Sequence, residues 1–132
     1  VLAIEDRLLD LAREFTPKGV GFAGICANDP TDHPEDSASS LAKRSREKNY
    51  PFPYLIDESQ DVAGKFGAVC TPDLYLYNSQ RKLVYRGRLD DSWRDSKKVA
   101  RHELREAIVE TLAGRALTRE QNPSMGCSIK WK

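Results

Sequence analysis

Three cysteines, Cys26, Cys70 and Cys127, are the residues of this chain best suited to covalent chemistry, and they stand 44 and 57 positions apart. That spacing is neither the framework of a disulfide-stapled secreted domain nor the ligand pattern of a zinc site. Where a cysteine performs disulfide exchange, it needs a thiolate of depressed pKa and a second sulfur to resolve the mixed disulfide. Cys70 stands in the most informative stretch, Val69-Cys70-Thr71-Pro72-Asp73, directly before the apolar run Leu74-Tyr75-Leu76-Tyr77. Proline has no N–H for a strand ladder and is confined to a strand's first residue, an edge or a tight turn. Thr71-Pro72 therefore marks a shaped turn and a candidate cis bond, a feature found where backbone must be presented. On these residues alone Cys70 reads either as a thiol presented at that turn or as an inert core cysteine.

The other candidates are each open to two readings. Cys127 lies in the terminal stretch Gly126-Cys127-Ser128-Ile129-Lys130-Trp131-Lys132. It is an exposed resolving thiol, or part of a tail that docks Ile129 and Trp131 in a groove. Cys26 closes an apolar strand and reads as structural. Asp57, at a strand's carboxyl end, is a proton shuttle or a helix cap. His33 and His102 pair with no cysteine at ligand spacing, so no metal is expected. Trp93 is expected to anchor the last helix to the sheet.

The elements that must position these residues follow from periodicity. Val1, Ile4, Leu8, Leu11 and Phe15 form one apolar helix face, stopped by Pro17-Lys18-Gly19. The helix is in full period at Val1 without a cap, so an upstream segment is expected. Val20 to Cys26 reads as a strand buried on both faces of a parallel sheet. Asn28-Asp29-Pro30 ends it at the carboxyl edge, where such sheets place their sites. A surface helix is expected from Ser37 to Lys48, with Ala38, Leu41 and Ala42 inward. Tyr54 to Asp57 is a second strand, followed by a short helix capped by Ser59 and closed by Gly67. Leu74–Tyr77 and Lys82–Leu89 form a hairpin turning at Asn78-Ser79-Gln80-Arg81. A helix from Lys97 to Ala113 precedes Gly114. Residues 1–114 are thus one α/β domain and residues 115–132 a polar tail; the element order is that of an α/β layer sandwich without its opening strand.

Composition narrows the function classes. A chain of 132 residues, 39% hydrophobic and 31% charged, is one soluble globular domain. Twenty-one Lys and Arg against twenty Asp and Glu leave a charge of +1, with no excess to draw nucleic acid or anionic lipid. The longest apolar run, Val20 to Ala27, has eight residues, whereas a membrane helix needs about 20. No secretory signal pattern opens the chain, and the odd, dispersed cysteines make a reducing compartment, the cytoplasm, the expected location.

Six stretches together resemble a known family: Ala3-Ile4-Glu5-Asp6-Arg7-Leu8, Asn28-Asp29-Pro30, Tyr50-Pro51-Phe52-Pro53-Tyr54-Leu55, Gly67 to Asp73, Leu83-Val84-Tyr85-Arg86-Gly87-Arg88 and Gly126 to Trp131. With the element order, they resemble the thioredoxin-like superfamily. The narrower resemblance is to the redoxin branch of alkyl hydroperoxide reductase and thiol-specific antioxidant proteins, in its peroxiredoxin-like subgroup. The resemblance implies a thioredoxin-like α/β/α sandwich with a mixed sheet. Its opening strand and a Cys-x-x-Cys-Pro-like motif, expected just before Val1, are absent from this chain. That strand would lie between those of Val20–Cys26 and Leu74–Tyr77.

The function implied is a thiol-dependent oxidoreductase with an antioxidant, redox-homeostatic role, by disulfide exchange or peroxide reduction, with its primary cysteines outside this chain. Its partners would be a protein thiol or disulfide, or a peroxide, together with a thiol reductant; no cofactor is implied. Thr71 and Pro72 would line the site, Thr71 pairing its backbone with an incoming chain. Cys70 and Cys127 would be auxiliary catalytic thiols. Arg86 and Arg88, on one strand face, would bind substrate by favouring a thiolate and orienting a peroxide oxygen, unless solvent or Asp90 and Asp91 engage them. The alternative is a non-catalytic redoxin scaffold that binds a partner or forms a homodimer through its open sheet.

Overall fold

The computed structural model describes residues 3–132, so Val1, expected on the first helix's apolar face, lies outside the described residues. The chain groups into two units, one of the chain up to Leu8 with Cys70–Ser128, the other of Leu9–Val69 with Ile129–Lys132. Helix α1, Glu5–Phe15, carries Glu5 and Asp6 in its first turn and Arg13 in its last, complementing the helix dipole. Ile4, Leu9, Leu11, Ala12 and Phe15 are buried, while Leu8, expected inward, is half-buried. The apolar stripe is wider than the three-and-four spacing of the leucines indicates. A 3₁₀ turn at Thr16–Lys18 and Gly19, at φ 95°, end the helix as expected.

In the unit of residues 9–69 and 129–132, β1, Gly24–Cys26, pairs in parallel with β2, Tyr54–Ile56, in the register Gly24↔Tyr54, Ile25↔Leu55, Cys26↔Ile56. Gly24 is needed because a Cβ there would come within 3.1 Å of the Phe52 ring and 3.3 Å of the Tyr54 ring. Those rings join Phe22 and Tyr50 in an aromatic cluster with centroids 5.3 to 6.3 Å apart. The expectation of a strand buried on both faces from Val20 is corrected: β1 is three residues long, and Ile25 and its partner Leu55 are 46% and 50% exposed. A parallel strand is buried on both faces only when both are covered by further layers, and among the described residues β1 pairs with β2 alone.

Helix α2, Ala38–Glu47, begins at the Ser37 cap and is the surface helix expected, but of its expected inward residues it buries Leu41 alone, Ala38 and Ala42 being exposed. Helix α3, Asp61–Phe66, is closed by Gly67 at φ 68°. Its N-terminus is held mainly by Asp57, whose Oδ2 accepts the Ala63 N–H at 2.8 Å. Ser59, expected as the cap, instead accepts the Asp61 N–H at 3.2 Å, and Gln60 is the capping position, at φ 67°. The chain's last residues dock here. Lys130 donates its N–H to Asn28 Oδ1 and accepts at its carbonyl from the Asp29 N–H and Gln60 Nε2. Ile129 is buried, whereas Trp131, which one of the two readings of the tail docks with it, is 50% exposed.

The other unit contains β3, Cys70–Thr71; β4, Leu74–Tyr77; β5, Leu83–Gly87; α4, Glu103–Leu112; and β6, Cys127–Ser128. β4 and β5 form the expected hairpin, with Asn78 Oδ1 accepting the Gln80 and Lys82 N–H groups in the turn. α4 starts six residues later than Lys97. Asp95 caps a 3₁₀ turn at Ser96–Lys98, and the Asp91 carboxylate takes the Ala100 and Arg101 N–H groups. Side-chain acceptors thereby hold the backbone out of the helix that propensity favours. Arg7 at the start of α1 is clamped by the buried Asp90 carboxylate and by the carbonyls of Ser92 and Trp93. Among the described residues the strands form three two-stranded sheets, β1-β2, β3-β6 and β4-β5, rather than one mixed sheet.

Candidate functional site

The Thr71–Pro72 peptide is cis, and β3, which runs up to it, pairs with strand β6 in the antiparallel register Cys70↔Ser128 and Thr71↔Cys127. Thr71 Oγ1 donates to the Cys127 carbonyl at 3.3 Å. Gly126 is needed for this approach, since a Cβ there would lie 2.0 Å from the Thr71 carbonyl oxygen. Beside the pair is a hollow of about 40 Å³, lined by Thr71, Pro72, Arg88, Leu89, Met125 and Cys127. Ala3 and Ile4, in the turn just before α1, close one wall, with Trp93. A space of that size admits a few atoms of water dimensions.

Of the six site residues expected from sequence, Thr71, Pro72, Arg88 and Cys127 thus meet at one hollow, whereas Cys70 and Arg86 do not line it. Alternation along β3 puts Cys70 on the face opposite Thr71, and Cys127, directly across from Thr71, shares the Thr71 face. Cys70 Sγ donates to the Pro72 and Ser124 carbonyls at 3.7 and 3.6 Å. Burial, and then the nearby Asp73 carboxylate, push its pKa up, partly offset by Arg86. Cys26 is pushed up as well, chiefly by burial. Both environments favour the protonated thiol. Cys127 is exposed.

The hydrogen-bonded ion pairs of the two arginines go to Glu103 and Asp73, while Asp91, held down first by the Ala100 and Arg101 N–H groups, feels Arg88 through its charge. Arg88 Nε donates to Glu103 Oε1 at 2.5 Å, its carbonyl accepts from the Tyr85 hydroxyl and its N–H reaches the Asn122 carbonyl. Glu103, buried at the start of α4, also accepts from Asn122 Nδ2 at 2.9 Å. Arg86 donates to Asp73 Oδ2 at 2.9 Å and lies over the Tyr75 ring. Asp90 is taken by Arg7, and Asp91 by backbone N–H groups. Burial, followed by the Asp73 carboxylate, pushes the Tyr75 hydroxyl up to about 12. Asp73, Glu103, Asn122 and Met125 are the contributors that sequence reasoning missed. Asp73 alone had a signal, its place directly after Pro72. Asp57 is the helix cap of its two readings. Among the described residues no His, Cys, Asp and Glu group could hold a metal ion, and no helix is long and apolar enough to cross a membrane.

No curated protein is significantly similar to the chain. The crystal structure of an uncharacterized conserved protein from Geobacillus kaustophilus matches it with a TM-score of 0.94 at 45% identity, over 100% of this chain and 70% of that one. A hypothetical protein from Sinorhizobium meliloti 1021 matches with a TM-score of 0.94 at 37% identity, over 100% and 73% of the two chains. The AhpC/TSA family pattern matches residues 4–86, which include the cis-proline turn and Arg86. The chain therefore belongs to the AhpC/TSA family and has its redoxin, thioredoxin-like fold.

Proposed function

We propose that this chain serves a thiol-dependent oxidoreductase of the redoxin type, in which the hollow at Thr71 and Pro72 receives the sulfur or peroxide undergoing reaction. The observation that carries the reading is the convergence of Thr71, Pro72, Cys127 and Arg88 on one hollow beside Ala3 and Ile4, in a chain of the AhpC/TSA family. In peroxide reduction a thiolate attacks one peroxide oxygen, the O–O bond breaks, and the leaving oxygen departs protonated as water or alcohol. A second thiol then attacks the sulfenic sulfur, water leaves, and a thiol reductant reopens the disulfide. In disulfide exchange the thiolate attacks a protein disulfide instead.

Arg88 lines the hollow with its Nε fixed by Glu103, and a guanidinium there is suited to orient an oxygen or stabilise a thiolate. Cys127 is the auxiliary thiol at the site. Cys70 and Cys26, held toward the protonated form, are poor first nucleophiles, which favours primary cysteines N-terminal to Val1. Mixing the pre-reduced full-length protein, with the residues that precede Val1 included, with one equivalent of hydrogen peroxide and counting thiols tests this. Fast thiol loss, with turnover on adding dithiothreitol and slowed by Cys127→Ser, is expected. Loss no faster than in the urea-unfolded protein refutes it. The same raised Cys70 and Cys26, with the bare Ile25 and Leu55 face, favour the second reading, a non-catalytic binding or dimerising redoxin unit. A concentration-dependent dimer without thiol consumption would select it.

A further inference from the structure

Residues 121–128 satisfy two strand edges that the hairpin and β3 leave open. Gln121 Oε1 accepts the Arg86 N–H at 3.1 Å, and its Nε2 donates to the Val84 carbonyl at 2.9 Å, so one side chain imitates a paired strand on β5. The Asn122 carbonyl takes the Arg88 N–H at 3.2 Å. Ser124 Oγ donates to Asp73 Oδ1 at 3.0 Å and to the Gly87 carbonyl at 2.5 Å, and its own carbonyl accepts from Cys70 Sγ. Gly126 then crosses the Thr71 carbonyl, and Cys127 pairs with Thr71. The approach is so close that Gly87 has no room for a Cβ either, which would lie 2.3 Å from the Asn122 carbonyl oxygen.

We propose that residues 121–128 are a releasable strap, closed over the Cys70–Thr71 edge and the hollow, and that its opening exposes the Cys70 thiol and the Thr71 backbone together. Side chains of the strap, those of Gln121, Asn122 and Ser124, supply as many of its bonds as its backbone does, and its only ladder, β3–β6 among the described residues, is two residues long. Such a segment opens at a lower free energy than the hairpin beneath it. Its residues also occupy the backbone groups that an extended chain approaching Thr71 would need, so strap and incoming chain exclude one another. Regulation of a redox site by the strap rests on the proposed thiol chemistry, whereas closure depends only on these hydrogen bonds. Its test therefore reads exchange and labelling rather than turnover.

Gly126→Ala forces a Cβ against the Thr71 carbonyl and should release the strap. In amide hydrogen exchange, Arg86 and Arg88, whose N–H groups face the strap, should exchange about tenfold faster or more. Tyr85 and Gly87, which by alternation face β4, should keep their protection. Iodoacetamide labelling of Cys70, mapped by peptide mass spectrometry, should quicken with them, while Cys26, in the other unit, keeps its rate. Ser124→Ala, which removes the Asp73 and Gly87 contacts without steric conflict, should act in the same direction more weakly. Gly21→Ala, where a Cβ meets nothing within 4 Å, is the control and should change nothing. Acceleration of Tyr85, Gly87 and Cys26 along with the rest would mean general unfolding and overturn the strap. So would unchanged Arg86, Arg88 and Cys70 in both variants.

Discussion

Cys70 and Cys127 sit on neighbouring strands yet face opposite sides of the pair, so proximity does not make them redox partners. A disulfide requires Cβ atoms about 4 Å apart and aimed at one another, and the β3–β6 register denies that geometry. Diamide oxidation of the monomer should therefore leave no intramolecular Cys70–Cys127 bridge in a non-reducing peptide map; finding one would show that the register slips by one residue. Exposure and protonation also set the order of reactivity. Cys127 should alkylate faster at pH 7 than Cys70 or Cys26, both of which have raised pKa values. The Cys70 rate should climb only above the pH at which an ordinary thiol ionises. A raised folded pKa means that the stabilisation tied to this thiol is complete below the unfolded value, about 8.5, and is lost as pH rises through the folded one. A Cys70 rate that saturates near neutrality would contradict that environment.

At the scale of elements, two packing decisions stand out. Gly24→Val would drive a side chain into the Phe52 and Tyr54 rings and should cost about 1–3 kcal/mol in urea unfolding, the usual range for overpacking. Gly21→Ala is its control, and an equal cost at both positions would point to a backbone effect instead. Glu103 joins α4 to β5 and to residue 122 through its two oxygens. Glu103→Ala leaves Arg88 Nε and the Asn122 amide without their acceptor and should cost about 3 kcal/mol, as removal of one partner from a largely buried pair does. A change below about 0.5 kcal/mol would show that solvent replaces the carboxylate freely.

For the whole molecule, the response to alkali follows from two tyrosines. Tyr75 and Tyr85 are pushed up to about 12, each first by burial, then by Asp73 for Tyr75 and Glu103 for Tyr85. Their folded values exceed the unfolded one, so the associated stability is complete below about pH 10 and is lost as pH rises through about 12. Urea midpoints should hold between pH 8 and 9.5 and fall steeply above pH 10.5; a flat profile to pH 12 would refute the buried, protonated tyrosines. Asp29 and Asp91 act at the other extreme. Their hydrogen bonds hold both carboxyls below the usual range, so what they contribute is present above about pH 4 and lost as pH falls through the lowered values.

Local patterns by themselves determined the helix from Glu5 to Phe15 with its Gly19 stop, the Ser37-capped surface helix and the hairpin about Asn78. They also determined the special turn at Thr71-Pro72, because period, caps and proline sterics act within a few residues. They could not reveal that Asp91 and Asp95 would delay α4 to Glu103, since each withdraws backbone N–H groups by a side-chain bond that helix propensity does not register. The pairing of Arg88 with Glu103 and of Arg86 with Asp73 spans 15 and 13 residues, and no spacing rule selects such partners over Asp90 or Asp91. Tertiary structure alone decided that the polar tail lies along β5 and meets Thr71. A short segment without apolar period owes its position to side-chain and backbone hydrogen bonds with distant strands, and those bonds exist only once β3 and β5 have formed.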